Sequence, residues 1–180
     1  IAIIAHPTSK KALETMTPPV PMPTELVEKE KTLRLGDMEI RILFLGRAHT
    51  GGDLAVYLPR EKILFMSEAY LNRIFPAMRS AYPSEWVEMI ARAQAMDIEV
   101  YVPGHGFVES PAILEEELET FRRAIRQVIA EVTRLHRLGL SADEALDQAD
   151  FGELETWSLF HSQAPIAIRK VYEELEGKLP

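Results

Sequence analysis

Between residues 111 and 138 the apolar side chains recur at a spacing of three and four: Leu114, Leu118, Phe121, Ile125, Val128, Val132, Leu135 and Leu138. An α-helix puts such a series on one face. Ser110-Pro111 supplies a cap and a proline at the first helical position, and Gly139 ends the run. At about 1.5 Å per residue the helix reaches about 40 Å. Ser141 with Glu144 forms a capping box that predicts a second helix, and a third is expected after Pro165, with Ile166, Ile168, Val171, Tyr172 and Leu175 facing inward. The chain is therefore expected to divide near residue 110, with residues 111–180 an all-helical extension.

Residues 1–110 carry a different period. Leu33 and Leu35 alternate with polar residues, Gly36-Asp37 turns the chain, and Ile40, Ile42 and Phe44 alternate again, the pattern of a hairpin of half-buried strands. Leu54 to Leu58 reads as the next strand, Pro59 to Lys62 as a turn, and Ile63 to Met66 as the returning strand. A helix capped by Ser84 is expected to bury Trp86, Ile90 and Ala93, and Glu99 to Val102 is a strand ending in Pro103-Gly104-His105-Gly106. Near the start, a short helix is expected over Lys10 to Met16. Pro18, Pro19, Pro21 and Pro23 then preclude helix and central strand, which leaves a stiff surface loop or lid. Ile1 to Ala5 reads as a buried strand; because the chain opens inside it, residues upstream of Ile1 are expected.

Composition narrows the chemistry. Apolar content of 47% and charged content of 27% suit a packed core, so wholesale disorder is not expected. A net charge of −8 argues against nucleic acid or an anionic membrane as the partner, since phosphate binding needs clustered Lys and Arg. No apolar run approaches the roughly 20 residues needed to span a bilayer. With no cysteine, disulfides and thiolate metal sites are excluded, and any metal must be held by His, Asp or Glu.

Three such residues stand at the ends of expected strands. His49 follows Ile42 to Leu45, Glu68 follows Ile63 to Met66, and His105 follows Val100 to Val102. Small residues flank each: Ala48 and Gly51-Gly52, Ser67 and Ala69, Gly104 and Gly106. Strand ends converge on one rim of a sheet, and glycine lets backbone approach a ligand closely. Two imidazoles and a carboxylate suit Zn²⁺ or a similar first-row ion.

The order of these segments resembles the second half of the metallo-β-lactamase-fold metallohydrolases. "GRAHTGGDLAVYLP" looks like that family's His-Thr motif, "KILFMSEAYLN" like the next motif, in which a strand ends in Gly-Asp, and "YVPGHG" like the last, a strand ending in a metal-binding histidine. "IAIIAHP" looks like the strand after the family's first metal motif, and the tail ending "IRKVYEELEGKLP" is similar to the helical extension of some members. The resemblance implies that residues 1–110 are the C-terminal part of the domain, one αβ half of a four-layer αββα sandwich, followed by helices over 111–180. It implies an enzyme in which a metal-bound hydroxide attacks an ester, thioester, amide or phosphoester of a small molecule. It implies two divalent metals, zinc foremost, with iron or manganese as alternatives. His49 becomes a ligand of the first metal, His105 of the second, and Glu68 takes the place of the bridging aspartate; Asp53 is given a turn or strand-start role.

Two departures qualify the expectation. The family's His-x-His-x-Asp-His cluster occurs nowhere in these 180 residues, so it is expected upstream of Ile1, and this chain alone is not expected to hold a catalytic pair of metals. Glu in place of Asp moves the carboxylate by roughly 1.5 Å, whereas metal–ligand distances tolerate about 0.2 Å. The competing reading is a non-catalytic association module with a degenerate site. In either case one sheet face is expected to be apolar and covered by the missing N-terminal half or by a second copy of the chain. The 111–138 helix is a further expected homodimer surface.

Overall fold

The computed structural model describes residues 1–106 and 114–180. The cap expected at Ser110-Pro111, the division placed at residue 110 and the side chain of Leu114 lie outside the described residues. The elements are β1 (Ile4–Ala5), α1 (Pro7–Leu13), β2 (Glu25–Leu26), β3 (Glu30–Leu35), β4 (Met38–Leu43), β5 (Ala55–Leu58), β6 (Ile63–Phe65), β7 (Leu71–Asn72), α2 (Pro83–Gln94), β8 (Val100–Val102), β9 (His105–Gly106), α3 (Leu114–Arg137), α4 (Ala142–Leu146) and α5 (Phe160–Leu175).

The main sheet is open, in the order β3-β4-β5-β6-β8. Its first four strands form an antiparallel meander, and the β3–β4 hairpin closes at Leu35↔Met38 through Gly36, whose φ of 62° a side chain would disfavour. β8 adds parallel to β6, with α2 in the crossover between them, as a parallel neighbour requires. Two short parallel pairs flank this sheet, β1 with β2 and β7 with β9. No helix among the described residues is long and apolar enough to cross a membrane.

Strand alternation gives the sheet two unlike faces. On one, Leu43, Ala55, Tyr57, Leu64 and Tyr101 are buried in a core shared with Trp86, Ile90 and Ala93 of α2 and Phe121, Ile125 and Val128 of α3. The Tyr101 hydroxyl donates to the Ala93 carbonyl and the Tyr57 hydroxyl to that of Asp97, so both rings keep a polar partner. The registers Ile42↔Val56, Val56↔Phe65 and Phe65↔Val102 put a second apolar row on the opposite face, joined by Ile40, Leu58 and Ile63. There most residues are only half-buried, and Phe65 is 41% exposed.

The structure corrects several expectations. Only Ile4–Ala5 of the first segment is strand; Ile1 to Ile3 are exposed, and the strand pairs with β2 rather than entering the main sheet. α1 begins at Pro7, earlier than expected, because the His6 imidazole accepts the Thr8 N–H as a cap. Ser84 does not cap α2: Pro83 takes the first helical position, and the Glu174 carboxylate of α5 accepts the N–H and hydroxyl of Ser84. α5 starts five residues before Pro165, which costs it one hydrogen bond near its first turns. Leu138 is exposed. The apolar stripe of α3 is no outer dimer surface, since Leu118, Phe121 and Ile125 are fully buried inside this molecule. The capping box of α4 forms as expected.

Candidate metal centre

Three strand ends carry the candidate ligands. The His49 corner is held tightly. Ala48 N–H donates to the Thr50 carbonyl, Tyr82 N–H donates to the Ala48 carbonyl, and Asp53 accepts both the N–H and the hydroxyl of Thr50, at 2.6 and 2.9 Å. Asp53 thus closes the turn. Gly51 and Gly52 let α1 approach closely. A Cβ on Gly51 would meet Thr8 Cγ2 at 2.9 Å, and one on Gly52 would meet Ser9 Oγ at 2.3 Å. The Ser9 hydroxyl completes this contact by donating to the Gly52 carbonyl. Arg47 braces the corner from behind. Its guanidinium lies 3.9 Å over the Tyr82 ring, pairs with both carboxylate oxygens of Glu85, and donates to the Pro180 carbonyl at 2.8 Å.

Glu68 lies in a 3₁₀ turn, Ser67–Ala69, that follows β6. The Pro103-Gly104-His105 turn follows β8, the parallel neighbour of β6, so the two turns meet at the same sheet edge. Gly104 N–H donates to the carbonyls of Ser67 and Tyr70, and a Cβ on Gly104 would lie 2.5 Å from the Ser67 carbonyl. The β7–β9 pair then fixes His105 opposite Leu71. His105 Nε2 consequently lies 2.9 Å from a Glu68 carboxylate oxygen, with both side chains open to solvent.

His49 is on a separate loop. Its ring meets the Trp86 edge at a centroid distance of 5.8 Å, and its Nδ1 is buried with no hydrogen-bond partner among the described residues. Trp86 also donates its indole N–H to the Ala69 carbonyl at 2.9 Å, so one buried side chain touches both the His49 ring and the Glu68 turn. The spacing of α2 marks Trp86 only as core; its bridging position depends on how that helix crosses the sheet.

The donor chemistry of His105 and Glu68 fits a divalent ion, and the orphaned His49 Nδ1 is a donor or acceptor with an unmet requirement. Among the described residues, however, no three His, Asp or Glu side chains come close enough together to hold a metal ion. The pair at the β6–β8 edge needs donors from elsewhere to complete a site.

No protein-family model and no curated protein matches the sequence. Solved structures do match. The chain is similar to metallo-β-lactamase IND-7 at 19% identity and a TM-score of 0.60, over 70% of this chain and 57% of that one. It is similar to a metallo-β-lactamase from Pontibacter korlensis at 21% identity and a TM-score of 0.61, over 70% and 58%. It is similar to the stereoselective inverting sec-alkylsulfatase Pisa1 from Pseudomonas sp. at 15% identity and a TM-score of 0.67, over 87% and 27%. The chain spans less than two thirds of each of these proteins. Over 70 to 87% of its own length, it shares the fold of the metallo-β-lactamases and of this sulfatase.

Proposed function

We propose that this chain is the C-terminal part of a metal-dependent hydrolase, one αβ half of a four-layer αββα sandwich with a helical extension. The observation that carries the reading is the 2.9 Å contact of His105 with Glu68 where the turns after β6 and β8 meet. The bonds of the Gly104 N–H to the Ser67 and Tyr70 carbonyls, which tie the two turns together, support reading His105 and Glu68 as preorganised ligands. The half-buried apolar face of the sheet supports the second part of the reading, because it suits an opposing sheet from upstream residues of the same polypeptide. A second copy of the chain is the other cover for that face.

In this reading His105 and Glu68 hold one edge of the site, His49 another, and His and Asp residues upstream of Ile1 supply the remaining ligands of two divalent ions, zinc foremost. When bound, such ions supply Lewis-acid polarisation of the substrate and an activated water. Trp86 and Arg47 hold the His49 corner in place. The substrate is a small molecule with an ester, thioester, amide or phosphoester bond.

The test is the metal content of the full-length protein, alongside hydrolysis of model esters, thioesters, amides and phosphoesters. We expect two equivalents of a divalent metal and activity that chelation removes. His105→Ala and His49→Ala should each lower metal content and activity, and His105→Ala should do so with little change in melting temperature, since its side chain is open to solvent. Metal-free protein unaffected by either substitution would overturn the reading. It would favour the alternative, a non-catalytic association module.

A further inference from the structure

A cavity of about 480 Å³ opens between α1, the Thr50–Gly52 turn, the Arg79–Tyr82 segment, Lys170 of α5 and the terminal Leu179-Pro180. That volume lies in the range of small-molecule sites. Ala12, Leu13, Ala81, Tyr82 and Leu179 provide an apolar wall. Arg79 and Lys170 provide two cations, and the hydroxyls of Thr8 and Ser80 provide neutral donors. Among the described residues, no Asp or Glu lines the cavity.

In a chain with 28 acidic and 20 basic residues, a cavity with two cationic side chains and no Asp or Glu among its described lining residues runs against the overall charge. The two cations differ. Lys170 Nζ is shared with Glu173 at 2.5 Å, so its charge is largely spent inside the fold. Arg79 is exposed and has no hydrogen-bond or carboxylate partner among the described residues. An arginine in this state can offer its planar fork to an incoming anion without first breaking an ion pair.

We propose that this cavity binds a small organic anion with an apolar body, its anionic end on Arg79 and its body against Ala12, Leu13 and Leu179. The wall of the cavity includes the turn that directly follows His49. The proposal does not depend on metal, because none of the three candidate ligands lines the cavity.

The test is calorimetric titration of the protein with octanoate, with 1-octanol as the uncharged counterpart and inorganic phosphate as the anion without a body. We expect saturable binding of octanoate at one site, with octanol and phosphate each at least about tenfold weaker. Arg79→Gln should weaken octanoate about tenfold. Ala12→Trp, which projects a ring from an exposed position of α1 into the apolar wall, should abolish binding; both variants should keep the parent melting temperature. Absence of saturable octanoate binding would overturn the proposal. So would equal affinity for octanol, equal affinity for phosphate, or octanoate binding that neither substitution changes.

Discussion

His6 ties the start of the chain to the main sheet. Its ring stacks on Phe44 at 4.0 Å, and its Nδ1 accepts the Thr8 N–H at 3.2 Å to cap α1. Burial holds its pKa below the ordinary 6.5, against a weaker upward pull from Glu28. The folded protein therefore binds fewer protons at this site than the unfolded chain. The stability that neutral His6 contributes is full above pH 6.5 and is lost as pH falls through the lower folded-state value. Protonation at Nδ1 also removes the cap's acceptor. The denaturant midpoint should fall between about pH 7.5 and about pH 5.5. His6→Asn keeps a side-chain cap but does not titrate in that range, so it should flatten this part of the profile. An unchanged profile in the variant would show that another group governs it.

At the scale of elements, short contacts between loops matter as much as the longer strands. β7 and β9 pair over two residues each, yet they carry the junction where Glu68 and His105 meet. Gly104 permits that junction because its neighbour is the Ser67 backbone, which cannot swing aside as a flexible side chain can. Gly104→Ala should therefore lower the melting temperature and the metal content of the full-length protein together, whereas His105→Ala should lower metal content alone. A variant with normal metal content would show that the turns can part without disturbing the ligands. α3 makes a different kind of contribution. Phe121 is fully buried, with the Trp86 ring at 5.6 Å and the Tyr70 ring at 5.9 Å, so it fills the space between helix and sheet. Phe121→Ala should cost about 3–5 kcal/mol in urea unfolding, the cost of a cavity in a shared core. A loss below about 1 kcal/mol would mean that the core closes around the gap.

For the whole molecule, the two faces of the main sheet set the behaviour. One is sealed by α2 and α3, while on the other Ile42 is buried, Ile40, Val56, Leu58 and Val102 are half-buried and Phe65 is 41% exposed. A contiguous apolar surface of this kind drives association when it is left to water. The 180-residue chain produced by itself should bind a hydrophobic dye and elute above its 20.4 kDa monomer mass. Phe65→Glu, at the exposed centre of the row, should reduce both effects, and the full-length protein should show neither. A dye-silent monomer from the isolated chain would contradict the half-sandwich reading.

Periodicity is local, and what depended on it could be read from the chain alone. The β3–β4 hairpin, the stripe of α3, the burial of Trp86, Ile90 and Ala93 and the Ser141–Glu144 box all follow from residues a few positions apart. The order of strand ends also marked His49, Glu68 and His105 as candidates before any contact among them was known. Contacts between distant segments decided the rest. Ser84 lost its capping role because Glu174, 90 residues away, reaches its N–H. Gly51 and Gly52 read as room for a ligand until α1, 43 residues earlier, was found against them. Pro165 looked like a helix start, but packing of Ala164, Ala167 and Ile168 holds a helix that begins before it. The pairing of His105 with Glu68, and its separation from the loop of His49, rest on strand pairing and helix crossing. Those are set by the burial of whole faces, which no short window of sequence contains.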